Sequence, residues 1–328
     1  MKRLAFFVGL AGLVGATGVI AWSGAGAVLA ALEKAGLGGI LVTCLAHLVP
    51  MTLCVIGWRA LLGRRGPGYV FFLYVLWIRA AINNLMPVAR IGGEIVSVRI
   101  LTRGGVAPSV AVASTMVEIT LSVIAVFLFS LLGVALFTLR MGSHDSTLAL
   151  TIGLLVVIPL LAAFVIVQRI GFFGLARRIL GLLFHDQAVR LAGAFGRWDR
   201  GVRILYRRRK RVLICSVFQF ASWAAGSGEI ALALFFLGHP VTLTEAVMIE
   251  ALIQATSQAA FFVPGALGVQ EAGFLVFGAA LGLTPEIAGA LAVIRRCRDV
   301  VLYVPGLIAW QVWEGRGVFG RRTAPVTP

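Results

Sequence analysis

The chain has 328 residues, of which 60% are hydrophobic and 13% are charged, and its mean hydropathy is +0.99. This composition excludes a soluble globular protein, and the length of the apolar stretches excludes a transmembrane barrel, whose strands would be short and alternating. The formal net charge of +16 does not indicate a nucleic-acid partner, because the basic residues are clustered beside apolar segments.

Six apolar stretches are long enough to be membrane spans, which need about 20 residues. The first follows a basic start and is longer than the roughly 7–15 residues of a signal-peptide core. It is therefore predicted to be a retained span, with a cleaved signal as the alternative. The six predicted spans are residues 4–22, 37–62, 123–139, 147–167, 212–236 and 287–312.

The basic loops predict the orientation, because such loops stay on the cytoplasmic side. Residues 169–211 carry 12 of the 29 Lys and Arg residues, and basic residues also lie near both termini. We therefore expect this segment and both termini to be cytoplasmic. Counting crossings, residues 69–102 must begin and end inside, and residues 242–282 must begin and end outside. Each is predicted to be a re-entrant hairpin of two half-membrane helices.

The two predicted hairpins are interrupted by matching motifs. The first reads PVARIGGE from Pro87 to Glu94, and the second reads PGALGVQE from Pro264 to Glu271. Irregular backbone at membrane depth is tolerated where it is buried in protein or lines a wet cavity. The motifs therefore predict a cavity, and their matching positions predict an inverted repeat, an architecture typical of transporters.

Taken together, these features predict an all-α polytopic membrane protein with an inverted repeat, six full spans and two re-entrant helical hairpins. A single integral membrane domain is expected over residues 1–328. Repeat one covers about residues 1–140 and repeat two about 147–315.

The basic segment 169–211 has an amphipathic pattern. It predicts a helix that lies on the cytoplasmic membrane surface, with its apolar face in lipid and its arginines toward anionic headgroups. The alternative is that the charges only set the topology. The apolar residues recur at steps of four and three: Leu191, Phe195, Trp198, Val202 and Leu205.

The first motif combines charge with unpaired backbone. Arg90 lies where the proline and glycines leave amides free, a combination that can bind phosphate; an arginine that snorkels to the surface is the alternative. Arg79 and Asn83 share a helix face that approaches this break. Glu94, like Glu271 in the second motif, either caps the restarting helix or lines a polar path.

The last span and the second hairpin add further polar groups. Three arginines and an aspartate lie between Arg295 and Asp299, and the spacing of these two ends predicts an ion pair. A stripe at steps of four, Glu250, Gln254 and Gln258, either lines a cavity or joins helices. The predicted substrate-binding residues are Arg79, Asn83, Asn84, Pro87, Arg90, Glu94, Glu250, Gln254, Pro264, Gly265, Gly268, Glu271, Arg295, Arg296 and Asp299.

No residue pattern indicates a catalytic or cofactor site. The sequence lacks a P-loop, a metalloprotease motif and a GxSxG motif. Its cysteines show neither disulfide nor metal spacing: Cys44, Cys54, Cys215 and Cys297. The expectation is a protein without a cofactor, a metal or an enzymatic activity.

The segments NNLMPVARIGGE and FFVPGALGVQEAG resemble the signature segments of the lysylphosphatidylglycerol synthase transmembrane-region family, and the likeness covers nearly the whole chain. The segment AHLVPMTLCVIGWRALL also resembles the branch associated with hopanoid biosynthesis. In this family the membrane domain is linked to lipid movement between leaflets, and some members add a soluble aminoacyl-transfer domain. Little chain follows the last predicted span, so the resemblance implies translocation without synthesis.

The expected function is a lipid flippase of the bacterial cytoplasmic (inner) membrane that moves a phospholipid or hopanoid-like lipid through a polar groove at the two hairpins. One alternative is a membrane-embedded lipid-modifying enzyme that uses Glu94, Glu271 or Asp299. Another is an accessory subunit of a lipid-synthesis complex. The expected partners are the lipid substrate, anionic headgroups at the basic segment, and either a second copy or a lipid-synthesis protein, without nucleic acid.

Overall fold

The computed structural model describes residues 25–63, 66–86, 92–141, 185–259 and 266–319. The predicted all-α class is confirmed for this part of the chain. The predicted spans 4–22 and 147–167 and the two motif turns, 87–91 and 260–265, lie outside the described residues. The described helices are α1 (Ala25–Ala46), α2 (Leu48–Leu62), α3 (Tyr69–Leu85), α4 (Gly92–Arg103), α5 (Pro108–Met141), α6 (His185–Arg207), α7 (Arg209–Phe236), α8 (Leu243–Ala259), α9 (Val269–Ala280) and α10 (Pro285–Phe319).

Pro50 explains the interruption between α1 and α2. A proline has no N–H, and its ring clashes with the carbonyl four residues earlier; α1 ends at that residue, Ala46. The interruption is compact, since the His47 N–H bonds to the Cys44 carbonyl at 3.3 Å and the Met51 N–H bonds to the His47 carbonyl at 3.3 Å. The two helices therefore follow each other as one interrupted apolar segment.

The two halves of the chain repeat the same series of helix lengths. In the first half α3, α4 and α5 have 17, 12 and 34 residues. In the second half α8, α9 and α10 have 17, 12 and 35 residues. At about 1.5 Å per residue, the shorter helices are about 26 and about 18 Å long, less than the about 30 Å of a bilayer core.

The contacts between helices repeat in the same way. α2 packs along α7, so the two halves meet there. α3 contacts α10, and its counterpart α8 contacts α5; α4 contacts α5 as α9 contacts α10. Each short pair therefore packs against the long helix of its own half, and its first member also packs against the long helix of the other half. A pseudo-twofold arrangement produces this pattern.

Glycines allow the closest of these helix crossings. A Cβ at Gly133 of α5 would overlap the Cβ of Ala251 in α8. A Cβ at Gly306 of α10 would lie 2.9 Å from the Cβ of Ala81 in α3. Small residues at helix crossings let the backbones approach closely and are typical of membrane proteins. The two crossings join equivalent pairs of helices, α5 with α8 and α10 with α3.

Each half builds most of its own apolar core. In the first half Trp58 and Phe72 pack edge to face, with ring centroids 5.2 Å apart, at the centre of a large buried cluster. In the second half Phe274 belongs to a separate cluster formed by α7 to α10 with a residue of α1. Large aliphatic side chains also face outward, for example Leu37 and Val70, which are 88% and 82% exposed. Such outward apolar surface is what lipid covers in a membrane protein.

Two described segments, Leu32–Leu62 and Pro108–Arg140, are long and apolar enough to cross a membrane. α7 and α10 are similarly long, at 28 and 35 residues, but they carry buried charges such as Glu229 and Arg295. These charges lower the mean hydropathy of segments that the sequence predicted as spans. The number of full spans and the re-entrant nature of the two short pairs stay predictions.

The amphipathic helix α6 packs on protein over part of its apolar stripe. Val202 and Leu205 are buried in the first-half core, and the Cα of Gly201 approaches α5 so closely that a Cβ would lie 2.9 Å from the Ala113 Cβ. The prediction that these two apolar side chains lie in lipid is therefore wrong, because α5 covers them. The side chains of Leu191 and Phe195 lie outside the described residues.

Candidate functional site

A cavity of about 400 Å³ lies where the two halves meet. Every described helix except α6 and α1 contributes to its wall, and the α1–α2 interruption contributes as well. A bundle with an apolar exterior thus encloses a polar centre. The ionisable and strongly polar groups of the wall are His47, Arg79, Asn83, Asn84, Glu94, Glu118, Gln219, Glu229, Glu250, Gln254, Gln258, Gln270, Arg295, Arg298 and Tyr303.

The first half supplies a two-bond ion pair. The guanidinium of Arg79 on α3 donates to both carboxylate oxygens of Glu118 on α5, at 2.6 and 2.9 Å. Gln219 on α7 donates to the same carboxylate at 2.9 Å, and the Cys54 thiol lies 3.5 Å from it. Arg79 also lies over the ring of Trp58, 4.7 Å from the centroid. Both charges are buried, so their mutual pairing is what makes the site tolerable in an apolar surrounding.

The second half supplies an equivalent pair with the charges exchanged. Here Glu250 lies on α8, the counterpart of α3, and it pairs with Arg295 on α10, the counterpart of α5. Arg295 also contacts Glu229 of α7 at 3.4 Å, and Gln254 donates to Glu250 at 2.7 Å. In both halves, therefore, a buried ion pair joins the first short helix to the long helix beside the cavity.

Further charged groups extend the second pair into a network. Arg298 donates to both oxygens of Glu229 at 2.8 and 3.1 Å and to Asp299 at 2.6 Å. Arg296 donates to Glu271 at 2.5 Å and to Asp299 at 3.2 Å. The predicted pairing of Arg295 with Asp299 is wrong. Arg295 faces α7 and α8 instead, where two glutamates accept from it, and Asp299 accepts from the other two arginines.

His47 connects the α1–α2 interruption to this network. Its Nδ1 lies 2.8 Å from a carboxylate oxygen of Glu229, and its Nε2 lies 3.1 Å from the hydroxyl of Tyr303 on α10. Arg298 is 3.3 Å from the same Nδ1. His47 was not among the predicted site residues, because its partners are 182 and 256 residues away along the chain.

Asn83 links the two helices of the first short pair. Its amide nitrogen donates to Glu94 at 3.0 Å, and its amide oxygen accepts from the Gly93 N–H at 3.0 Å. A Cβ at position 93 would lie 2.6 Å from that amide oxygen, so the close approach requires glycine. Asn83 thus satisfies an N–H of the first turn of α4 and holds Glu94 at the cavity wall.

Glu271 occupies the corresponding first turn of α9 but has a different partner. It is 2% exposed, and its described hydrogen bond is the one to Arg296. Among the described residues no N–H of the α9 N-terminus bonds to Glu271. The described contacts therefore do not support the capping alternative for Glu271. Its carboxylate belongs to the ion-pair network instead.

The predicted site residues divide into three groups by position. Those that line the cavity are Arg79, Asn83, Asn84, Glu94, Glu250, Gln254 and Arg295. Those beside it are Glu271, Arg296 and Asp299, in the same network, and Gly268 before α9. Those outside the described residues are Pro87, Arg90, Pro264 and Gly265. Binding of a substrate by any of them stays a prediction.

The cavity wall also contains polar residues that were not among the predicted substrate-binding residues. Glu118 and Glu229 are single carboxylates inside long apolar helices, and an intramembrane carboxylate is costly enough to mark a functional position. That signal was available for both residues. Tyr303 offered no comparable signal, because a tyrosine in an apolar helix is common near membrane surfaces.

Comparison with known proteins gives the family of the chain. The family model described as the lysylphosphatidylglycerol synthase TM region matches residues 9–306. The UPF0104 membrane protein PH1989 of Pyrococcus horikoshii is 22% identical over 308 residues, which cover 88% of this chain and 90% of that protein. No solved structure matches the chain.

Proposed function

This chain belongs to the lysylphosphatidylglycerol synthase transmembrane-region family, and we propose that it moves a membrane lipid between leaflets by passing the headgroup through the central cavity. One observation carries the proposal: the cavity between the repeated halves is walled by buried, oppositely charged side chains from both halves. A core that only stabilises the fold does not require a cavity lined by buried charged side chains.

The cavity wall offers a lipid headgroup hydrogen bonds and charges that replace the interactions it loses on leaving water. Burying a polar group without a hydrogen bond costs about 2–7 kcal/mol, and an unpaired charge costs more. The Arg79–Glu118 and Arg295–Glu250 pairs present donors and acceptors of both signs on two sides of the cavity. A charged headgroup can exchange with these pairs while its tail stays in the surrounding lipid.

The repeated contacts support a route by which the cavity opens to each side in turn. The pairs α3–α4 and α8–α9 each pack against a long helix of their own half and of the other half. Rocking one pair against the α2–α7 core would open the cavity at one side while the other pair closes it, as in inverted-repeat transporters.

In membrane terms the proposal keeps six full spans, two re-entrant hairpins entering from opposite faces, and both termini in the cytoplasm. The exposed arginines near the end of α6, including Arg200 and Arg203, then face anionic headgroups of the cytoplasmic leaflet. The transported lipid is a phospholipid or a hopanoid-like amphiphile, and the reaction changes its leaflet and not its covalent structure.

The test is translocation in reconstituted vesicles. Purified protein is inserted into vesicles of phosphatidylethanolamine and phosphatidylglycerol that contain a trace of acyl-labelled fluorescent phosphatidylglycerol. Dithionite then bleaches the label in the outer leaflet, and mass spectrometry follows the lipid. We expect bleaching to exceed the outer-leaflet share with no change in lipid mass. A changed mass would favour the lipid-modifying enzyme, and neither effect with phospholipid or hopanoid probes would reject transport.

Two cavity substitutions with a matched control connect this activity to the site. Gln254→Leu and Gln258→Leu each remove a polar group from the cavity wall at nearly constant volume. Gln311→Leu makes the same change at an exposed position of α10. A hydrogen bond to a charged group contributes about 1.5–3 kcal/mol, so we expect the cavity variants to be slower by about tenfold or more and Gln311→Leu to be unchanged.

A further inference from the structure

His47 is a titratable group in the charged wall of the cavity, and headgroup passage alone gives it no role. Histidine is the side chain whose ordinary pKa, about 6.5, lets it change charge near neutral pH. Its two ring nitrogens contact different helices, Glu229 on α7 and Tyr303 on α10. A change in the protonation state of His47 therefore alters hydrogen bonds to both helices.

The contact geometry assigns the two nitrogens different tasks. A 2.8 Å contact between Nδ1 and a carboxylate oxygen requires a proton between them, so Nδ1 donates to Glu229. In the neutral ring, Nε2 then accepts from the Tyr303 hydroxyl at 3.1 Å. A proton arriving at Nε2 makes both nitrogens donors. The Tyr303 oxygen must then accept instead of donate, and its hydroxyl hydrogen turns elsewhere.

The charges of the residues in this ion-pair network do not cancel. Among the described residues the network around His47 contains three guanidinium groups, Arg295, Arg296 and Arg298, and four carboxylates, Glu229, Glu250, Glu271 and Asp299. With a neutral His47 it has one negative charge in excess, and such a buried charge is costly. One proton on His47 balances the network.

Groups of both signs face His47 from the elements packed against it. The arginines are Arg298, in contact at 3.3 Å, and Arg295 behind it. The opposing groups are Glu229 in contact and Asp299 behind Arg298. From α1 the Cys44 carbonyl accepts the His47 backbone N–H, and across the cavity Arg79 of α3 is neutralised by Glu118. The imidazole therefore lies between a guanidinium, which disfavours a positive charge on the ring, and a carboxylate, which favours it.

Each residue of the His47–Tyr303 bond lies within three positions of a proline. Pro50 follows His47 by three positions and separates α1 from α2. Pro305 lies inside α10, two positions after Tyr303. Proline kinks are common points of helix bending. A change in this one hydrogen bond therefore acts where both helices are easiest to bend.

We propose that His47 is a proton-binding site that couples lipid movement to proton movement. The inference rests on the proposed function: a proton binds at Nε2, reverses the Tyr303 hydrogen bond, balances the network and favours one of the two openings of the cavity. Its release on the other side favours the other opening. Protons down their gradient thereby drive the headgroup in one direction.

The experiment imposes a pH difference across the vesicles with the fluorescent phosphatidylglycerol probe. One proton per lipid and one unit of pH difference shift the final distribution between leaflets about tenfold. We expect this shift with the wild-type protein and not with His47→Gln, which keeps hydrogen-bonding groups but does not titrate. His239→Gln, at an exposed histidine outside the cavity, should behave as wild type.

The outcomes separate the coupling from the transport itself. Translocation by the wild-type protein that ignores the pH difference overturns the coupling and leaves the flippase proposal standing, as does a His47→Gln variant that keeps the tenfold shift. For a wild-type protein that moves no probe, nitrogen-15 NMR of its histidines in lipid nanodiscs decides. A His47 signal that keeps one protonation state between pH 5 and pH 8 overturns the proton site, and a titrating signal supports it.

Discussion

At the scale of single residues, the buried Arg79–Glu118 pair makes a stability prediction. Removing one partner of a buried ion pair leaves an unpaired charge and costs about 3–5 kcal/mol, whereas replacing both by apolar residues is often near neutral. We expect Arg79→Met and Glu118→Leu each to lower the thermal unfolding temperature strongly. The double variant should recover most of that loss. Unfolding in detergent micelles, arranged as a double-mutant cycle, measures the three effects.

The exposed pair Arg99–Glu314 provides the control for this cycle. Its atoms are 2.7 Å apart, close to the 2.6 Å of the buried pair, but the Arg99 side chain is 52% exposed. Exposed ion pairs contribute about 0–1 kcal/mol, so Arg99→Met should change stability little. Equal losses at both sites would show that burial is not what makes the cavity pairs important.

The charged residues also mark a limit of sequence reasoning. Glu250, Arg295 and Asp299 were all identifiable as unusual in apolar segments, but their partners were not. Helical spacing favoured Arg295 with Asp299, while the folded chain turns Arg295 toward α7 and α8. Local spacing says which side chains share a helix face. It does not say which helix that face meets, and here the neighbouring helices decided the pairing.

At the scale of helices, the α5–α8 crossing makes a second stability prediction. A Cβ at Gly133 would overlap the Ala251 side chain, so Gly133→Ala must push the two helices apart. Overpacking a close contact costs about 1–3 kcal/mol. We expect a lower unfolding temperature for this variant, measured under the same micelle conditions.

Gly228 on α7 is the matched position, because a Cβ there meets nothing within 4 Å. Alanine is the better helix former by about 1 kcal/mol, so Gly228→Ala should be neutral or stabilising. If both alanine variants were equally stable, the crossing would not be as close as the described backbone makes it.

The short helices were the elements most open to prediction. The two proline-glycine motifs placed a break before each glutamate, and α4 and α9 do begin just before Glu94 and Glu271. Proline and glycine act on the local backbone, so the helix breaks they cause can be predicted from the sequence. The role of the glutamates was not readable, since Asn83 and Arg296 reach them from other helices.

At the scale of the whole molecule, the predicted topology places two exposed turns on opposite sides of the membrane. Gly68 precedes α3, and His239 lies between α7 and α8; both are exposed. We expect a cysteine at position 239, and not one at 68, to react with a membrane-impermeant maleimide added to intact cells. The unsubstituted chain reports any reaction of the native cysteines. Equal labelling at both positions would contradict the crossing count.

The basic segment shows why the whole assembly was harder to predict than its parts. The amphipathic pattern around Val202 and Leu205 predicted a helix, and α6 is one. The same pattern is produced by a face that meets lipid and by a face that meets another helix, since both surroundings are apolar. Only the packing of α5 against these two residues separates the cases.

Cys54 gives the protein a reporter of its own. The thiol lines the cavity beside Glu118 and Gln219, whereas Cys215 is buried in the first-half core. Alkylation needs the reagent to reach the sulfur. The rate at which a small permeant maleimide alkylates Cys54 therefore measures how accessible the cavity is to small molecules. Slower consumption in the presence of a candidate lipid would identify that lipid as an occupant of the cavity without any label on the lipid.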